Sequence, residues 1–142
     1  MPTYTASRTL LASRSDTWEF LSEPYNLADW WPGIAGVQPD RRGLAPGARW
    51  QVTAPNTASL LRRPNATGML LVLTVEPLER IAFQLTGDRI DADLRLHAVD
   101  ADRTEVTLTV SGPWLIGLNR RYAHRALARL YALLQPAAGD EP

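Results

Sequence analysis

The 142-residue chain contains no cysteine and no lysine. Without cysteine it has no disulfide, no thiol nucleophile and no cysteine-ligated zinc site. All 15 basic residues are arginine, and 15 acidic residues balance them to a formal net charge of zero. That balance argues against nucleic acid or a charged membrane surface as the main partner. Exclusive arginine use beside abundant alanine fits a GC-rich coding sequence. The longest apolar run, 69–73, is far too short to span a bilayer, so no integral membrane association is expected. The N-terminus lacks the charged-then-apolar pattern of a signal peptide, and a cytoplasmic domain is expected. Catalytic signatures are also missing. There is no His-Glu-x-x-His, no Gly-x-Ser-x-Gly and no phosphate-binding glycine loop, and no cofactor or metal is expected.

The densest local signal is at 12–33, ASRSDTWEFLSEPYNLADWWPG. Ser13 is placed to cap a helix, with Asp16 in the first turn, where the helix dipole favours a carboxylate. Trp18 and Leu21 share a face, with Phe20 beside them. Pro24 ends that helix because it lacks a donor and restricts Glu23 before it. The spacing predicts a strand over 3–11 and short helices over 14–23 and 26–31. Strands follow over 37–42 and 48–54, joined by a turn at 43–47 that holds Pro46 and Gly47. A long loop, 55–66, leads to strands over 69–76, 81–86, 90–99 and 104–111. Ile90, Ala92, Leu94, Leu96 and Ala98 alternate with Asp91, Asp93, Arg95 and His97, as in a half-buried strand. Val106, Leu108 and Val110 repeat that pattern. A terminal helix is expected over 113–135, with Pro113 in its first turn.

Consecutive strands joined by tight turns make an antiparallel meander with one apolar face in need of a cover. The terminal helix is the only element long enough. The expected fold is therefore α+β: a helix-grip arrangement of about seven curved antiparallel strands around the C-terminal helix, with two short helices after the first strand. One domain, 1–142, accommodates this, with 136–142 frayed. A curved sheet cannot touch a straight helix everywhere, and the gap is the expected pocket.

ASRSDTWEFL at 12–21, NLADWWPGI at 26–34, VEPLERI at 75–81 and the terminal helix together resemble the START-like, Bet v 1-like (SRPBCC) superfamily. Within it, the bacterial polyketide cyclase/dehydrase and lipid-transport group is the most similar. The resemblance spans nearly the whole chain. It implies the helix-grip fold and an internal cavity. It does not choose a function, because carriers, cyclases, regulators and toxins share this fold.

At about 100° per residue, Leu115, Tyr122, Ala123, Ala126, Leu127, Leu130, Leu133 and Leu134 share one arc of the terminal helix. Arg121, Arg125 and Arg129 lie on the other side, read as a solvated face. Asn119 falls in the middle of the apolar arc. It either orients a ligand or is tied to a strand or water, since an unpaired buried amide costs about 1–3 kcal/mol. Tyr122 is either packing or an aromatic wall with a polar tip. Trp30 and Trp31 lie where the resembling families cap the pocket, either as core or as lining. Trp50 alternates with Ala48 and Val52 and should face the concave side. Leu94, Leu96 and Ala126 complete the candidate ligand contacts. Leu60 and Leu61 in the 55–66 loop are read as a gate, a membrane-touching tip beside Arg62 and Arg63, or residues folded back onto the body. His97 and His124 fall on polar faces, away from the pocket, and Asp29 is read as a surface residue.

The leading expectation is a binding domain for a hydrophobic small molecule: a lipid, an isoprenoid or a polyketide-like compound. An aromatase/cyclase-like enzyme, folding a poly-ketone with a few polar contacts, is the alternative. A protein-interaction domain of the same fold, using an apolar patch at Leu60 and Leu61, is a third.

Overall fold

A computed structural model of the chain describes residues 3–32, 34–53, 67–86, 89–112 and 116–134, with the backbone alone for Thr67 and 116–122. The strands are β1 (Thr3–Leu10), β2 (Gly36–Gln38), β3 (Arg49–Thr53), β4 (Thr67–Glu76), β5 (Arg80–Leu85), β6 (Ile90–Ala98) and β7 (Thr104–Ser111). They form one antiparallel sheet in the order β1-β7-β6-β5-β4-β3-β2. Two short helices, α1 (Arg14–Ser22) and α2 (Leu27–Trp30), separate β1 from β2, and a long helix, α3 (Ile116–Leu133), follows β7. This is the expected α+β helix-grip class.

α1 starts at the serine cap. The Asp16 N–H donates to Ser13 Oγ at 3.1 Å. Thr17 is fully buried, and its hydroxyl donates to the Ser13 carbonyl at 2.8 Å. Trp18, expected on one face with Leu21, is only half-buried and packs against the core's edge. The inward pair is Thr17 and Leu21, four residues apart, which turns Trp18 to the side. After Pro24 the chain makes one 3₁₀ turn, Pro24–Asn26, and the Asn26 amide ties it to the Phe20 carbonyl at 2.9 Å.

β2 is shorter than the expected 37–42 strand. Pro39 has no N–H to give a ladder, and Asp40 folds the chain away. Its Oδ1 accepts the Arg42 N–H and its Oδ2 the Arg49 N–H, both at 2.9 Å. β6 and β7 follow their alternation, with Ile90, Ala92, Leu94, Leu96, Val106, Leu108 and Val110 all buried. Ala98 departs from it and is exposed at the strand end. The β4–β5 register shifts between Val72 and Thr74, leaving Leu73 as an extra residue, 45% exposed. Such a bulge bends and twists its strand, which helps the sheet curve.

Ala123, Ala126, Leu127 and Leu130 are buried on α3, while Arg125 and Arg129 are exposed. Leu133 was expected on the buried arc but is 46% exposed. It is turned about 60° from Leu130, outside the narrow seam, and Leu134 packs in its place. Among the described residues α3 packs on β1, β7 and α2. Two contacts pin it to β1. The Tyr4 hydroxyl pairs with His124 Nε2 at 2.7 Å, and the Arg8 guanidinium lies 4.2 Å above the Tyr131 ring. No helix among the described residues is long and apolar enough to cross a membrane. The expected start at Pro113, Leu115, the 55–66 loop with Leu60 and Leu61, and the 136–142 tail lie outside the described residues.

Candidate ligand site

Among the described residues α3 packs on β1 and β7, and the two short helices face β3 to β6. Period-two alternation turns Leu70 and Val72 of β4, Ile81 and Phe83 of β5, and Leu94 of β6 onto one face. Trp50 of β3 joins them, and it is buried with Ala48 and Val52 on either side, as expected. Its indole Nε1–H donates to the Gly43 carbonyl at 2.8 Å. Gly43 has φ +62°, a backbone region that glycine enters without a Cβ clash. Trp50 therefore presents its ring to the interior with its nitrogen already satisfied.

From above, Leu21 of α1, Leu27 and Trp30 of α2, and Leu44 of the β2–β3 connection close the space. Trp31 stands behind this layer, 1% exposed. Its ring meets Trp30 at 5.7 Å and 85°, and Phe83 at 5.4 Å and 73°. Edge-to-face pairs of this kind contribute about 0.5–1.5 kcal/mol beyond simple burial, which fixes α2 against β5.

The described residues bound a cavity of about 20 Å³ here. A void of that size admits about one water, but a water needs two to four polar partners, and these walls supply none from the sheet. Among the described residues, Glu23 is the one charged side chain in the lining, at the rim. It also borders an outer groove with Asp16, Glu19, Phe20 and Asn26. Its Oε1 accepts the Tyr25 N–H at 3.4 Å. Chemically, this is a surface for burying an apolar group beside one carboxylate. The histidines are elsewhere: His97 is exposed on β6 and His124 is paired with Tyr4. Among the described residues no cluster of three or more His, Asp or Glu side chains could hold a metal ion.

Residues 1–135 match the family model described as polyketide cyclase / dehydrase and lipid transport. The chain belongs to this family. No curated protein sequence matches it. Its fold is shared by a START superfamily protein from Mycobacterium smegmatis, with TM-score 0.72, 12% identity and coverage of 93% of this chain and 96% of that one. The di-domain ARO/CYC protein BexL, from the BE-7585A biosynthetic pathway, has TM-score 0.74 and 16% identity over 93% of this chain and 46% of its own. The Aha1 dimer from Colwellia psychrerythraea has TM-score 0.68 and 17% identity, covering 98% and 100%. At these identities the likeness is one of fold.

Of the residues singled out from sequence, Trp30, Trp50 and Leu94 line the cavity together. Trp31, Leu96 and Ala126 are buried but do not line it; Ala126 sits on the helix that covers β1 and β7. The side chains of Asn119 and Tyr122 lie outside the described residues. Sequence reasoning missed Leu21, Leu27, Leu44, Leu70, Val72, Ile81 and Phe83 as lining. The alternation of 70–72 and 81–85 was a usable signal for four of them. Nothing local marks Leu44 or Glu23, whose placement comes from chain reversals.

Proposed function

We propose that the domain, taking 1–142 as one unit, binds a hydrophobic small molecule between the concave sheet face and its helices. A lipid, an isoprenoid or a polyketide-like compound fits this description. The observation that carries the reading is the apolar lining contributed by two short helices, one connection and four strands, with the Trp30 and Trp50 rings among its walls. Family membership supports it, since the family takes in both lipid carriers and polyketide cyclases. Membership does not choose between carriage and catalysis, and the described lining favours carriage, being apolar apart from Glu23.

The described cavity is smaller than ligand pockets, which run from about 300 Å³, so a ligand of that size needs it to open. Opening falls to the α1–α2 corner, where α2 has only four residues and few backbone bonds to lose. A ligand burying about 200 Å² of apolar surface gains about 5 kcal/mol, enough to offset a local opening of that kind. Asn119 and Tyr122 remain proposed contacts on helix phase. Asn119 stands four, seven and eleven residues before Ala123, Ala126 and Leu130, all fully buried.

An environment-sensitive apolar dye should bind saturably without added metal or nucleotide. Native mass spectrometry of protein from its own host should reveal a co-purified apolar molecule. Asn119→Leu should alter dye affinity while the fold survives. Absence of saturable dye binding together with no co-purified ligand refutes the reading. If Asn119→Leu lowers stability and leaves affinity unchanged, the amide is a strut.

A further inference from the structure

We infer that Glu23 sets the chemical class of the ligand: an apolar body ending in a hydrogen-bond donor, an amine or a hydroxyl, in preference to a carboxylate. The inference rests on the binding reading above and narrows it. Among the described residues, Glu23 is the only titratable side chain in the cavity lining. It is also the one residue shared between that lining and the outer groove. A ligand whose apolar part fills the cavity therefore has its polar end at this residue.

The local chain fixes Glu23 there. Its N–H closes α1 onto the Phe20 carbonyl, and Pro24 follows with a restricted φ. Oε1 accepts the Tyr25 N–H, while no described residue donates to Oε2. Oε2 is thus an ionic acceptor at the border between a dry space and solvent. Glu23 is itself exposed at this rim, so a bond to Oε2 is partly screened by solvent and the like charges around it share in setting the preference. The other acids nearby, Asp16 and Glu19, line the same groove, and among the described residues no arginine lines either depression. Among the described residues a ligand carboxylate would meet three like charges, while the Asn26 amide already donates to the Phe20 carbonyl and the Trp50 indole to the Gly43 carbonyl. Selectivity comes from that repulsion as much as from the attraction.

The test uses decylamine, decanol and decanoic acid below their micellar concentrations, displacing a bound apolar dye from the intact protein. The amine and the alcohol should bind about tenfold more tightly than the acid, the combined effect of a donor meeting Oε2 and of the acid's repulsion by the surrounding carboxylates. Glu23→Gln should bring the three to within about threefold of one another. The amide keeps a carbonyl to accept from Tyr25, so the turn is preserved, and a melting curve checks this. Glu19→Gln, which touches the groove but not the cavity, should keep most of the preference.

Equal binding of all three to the unaltered protein, or tightest binding of the acid, overturns the inference and leaves the binding reading intact. The same holds if Glu23→Gln folds and keeps the full preference, or if Glu19→Gln abolishes it as completely. Failure of the dye and of all three compounds to bind is a different result: it removes the binding reading and this inference with it. The ranking on the unaltered protein needs no variant, so a misfolded Glu23→Gln would not spare the inference from refutation.

Discussion

Replacing Phe83 by alanine tests the cavity and its wall in one experiment. Phe83 is 4% exposed, lines the cavity and meets the Trp31 ring at 5.4 Å. A buried Phe→Ala change costs about 3–5 kcal/mol, through lost transfer energy and the void left behind. The edge-to-face pair with Trp31 accounts for about 0.5–1.5 kcal/mol of that. The benzyl-shaped space merges with the roughly 20 Å³ already present. It is apolar on its described sides, so it should stay dry and accept a molecule such as benzene. Benzene at tenfold its dissociation constant would then return about 1.4 kcal/mol to the variant by linkage. Urea unfolding should show a lower midpoint with an unchanged slope, and benzene should raise the variant's midpoint more than the parent's. Phe83→Leu, which refills most of the space, should cost well under half as much. A loss below about 1.5 kcal/mol with no variant-specific benzene effect would refute the placement of Phe83 in a packed wall.

Leu130 and Leu133 make a matched pair on α3. Leu130 is fully buried and Leu133 is 46% exposed, so Leu130→Ala should cost about 2–5 kcal/mol and Leu133→Ala less than about 1. Equal costs in chemical denaturation would show that the helix phase is wrong. Leu78 follows Pro77 in a turn closed by the Glu79 N–H on the Glu76 carbonyl at 2.9 Å, and it has φ +67°. Leu78→Gly relieves a left-handed conformation that penalises side chains, and stability should hold or rise by up to about 1 kcal/mol; a clear loss would mean the side chain packs. The Arg49 N–H, followed by that of Arg42, holds the Asp40 carboxyl below its ordinary value of 3.8. A depressed folded pKa gives stability that is present above the unfolded value and lost as pH falls through the folded one. Below about pH 4 the parent should lose stability more steeply than Asp40→Asn, and parallel acid curves would remove Asp40 from the account.

Local chemistry alone determined much of this protein. Ser13 and Pro24 mark the ends of α1 because capping and proline geometry act over a few residues. The two-residue alternation of β6 and β7 names their buried faces, and the spacing of Ala123, Ala126, Leu127 and Leu130 names the seam of α3. The family resemblance rests on those same local signals, so it too was legible before any contact was known. Only tertiary structure decided how the covers divide the sheet. Among the described residues α3 packs on β1 and β7, and the short helices close the space over β3 to β6. That division depends on sheet curvature, to which the unannounced bulge at Leu73 contributes, and on a side-chain network between Arg8, Tyr4 and α3. The same cause explains the local errors. Leu133 and Ala98 carry the right periodicity but sit where the facing surface has ended, and Trp18 yields its inward place to Thr17. Glu23 shows the limit most directly. In the sequence it is the residue before a proline. The successive antiparallel reversals from β2 to β6 bring Phe83 and Leu94, some sixty and seventy residues away, into the same lining, and no local pattern encodes contacts at that separation.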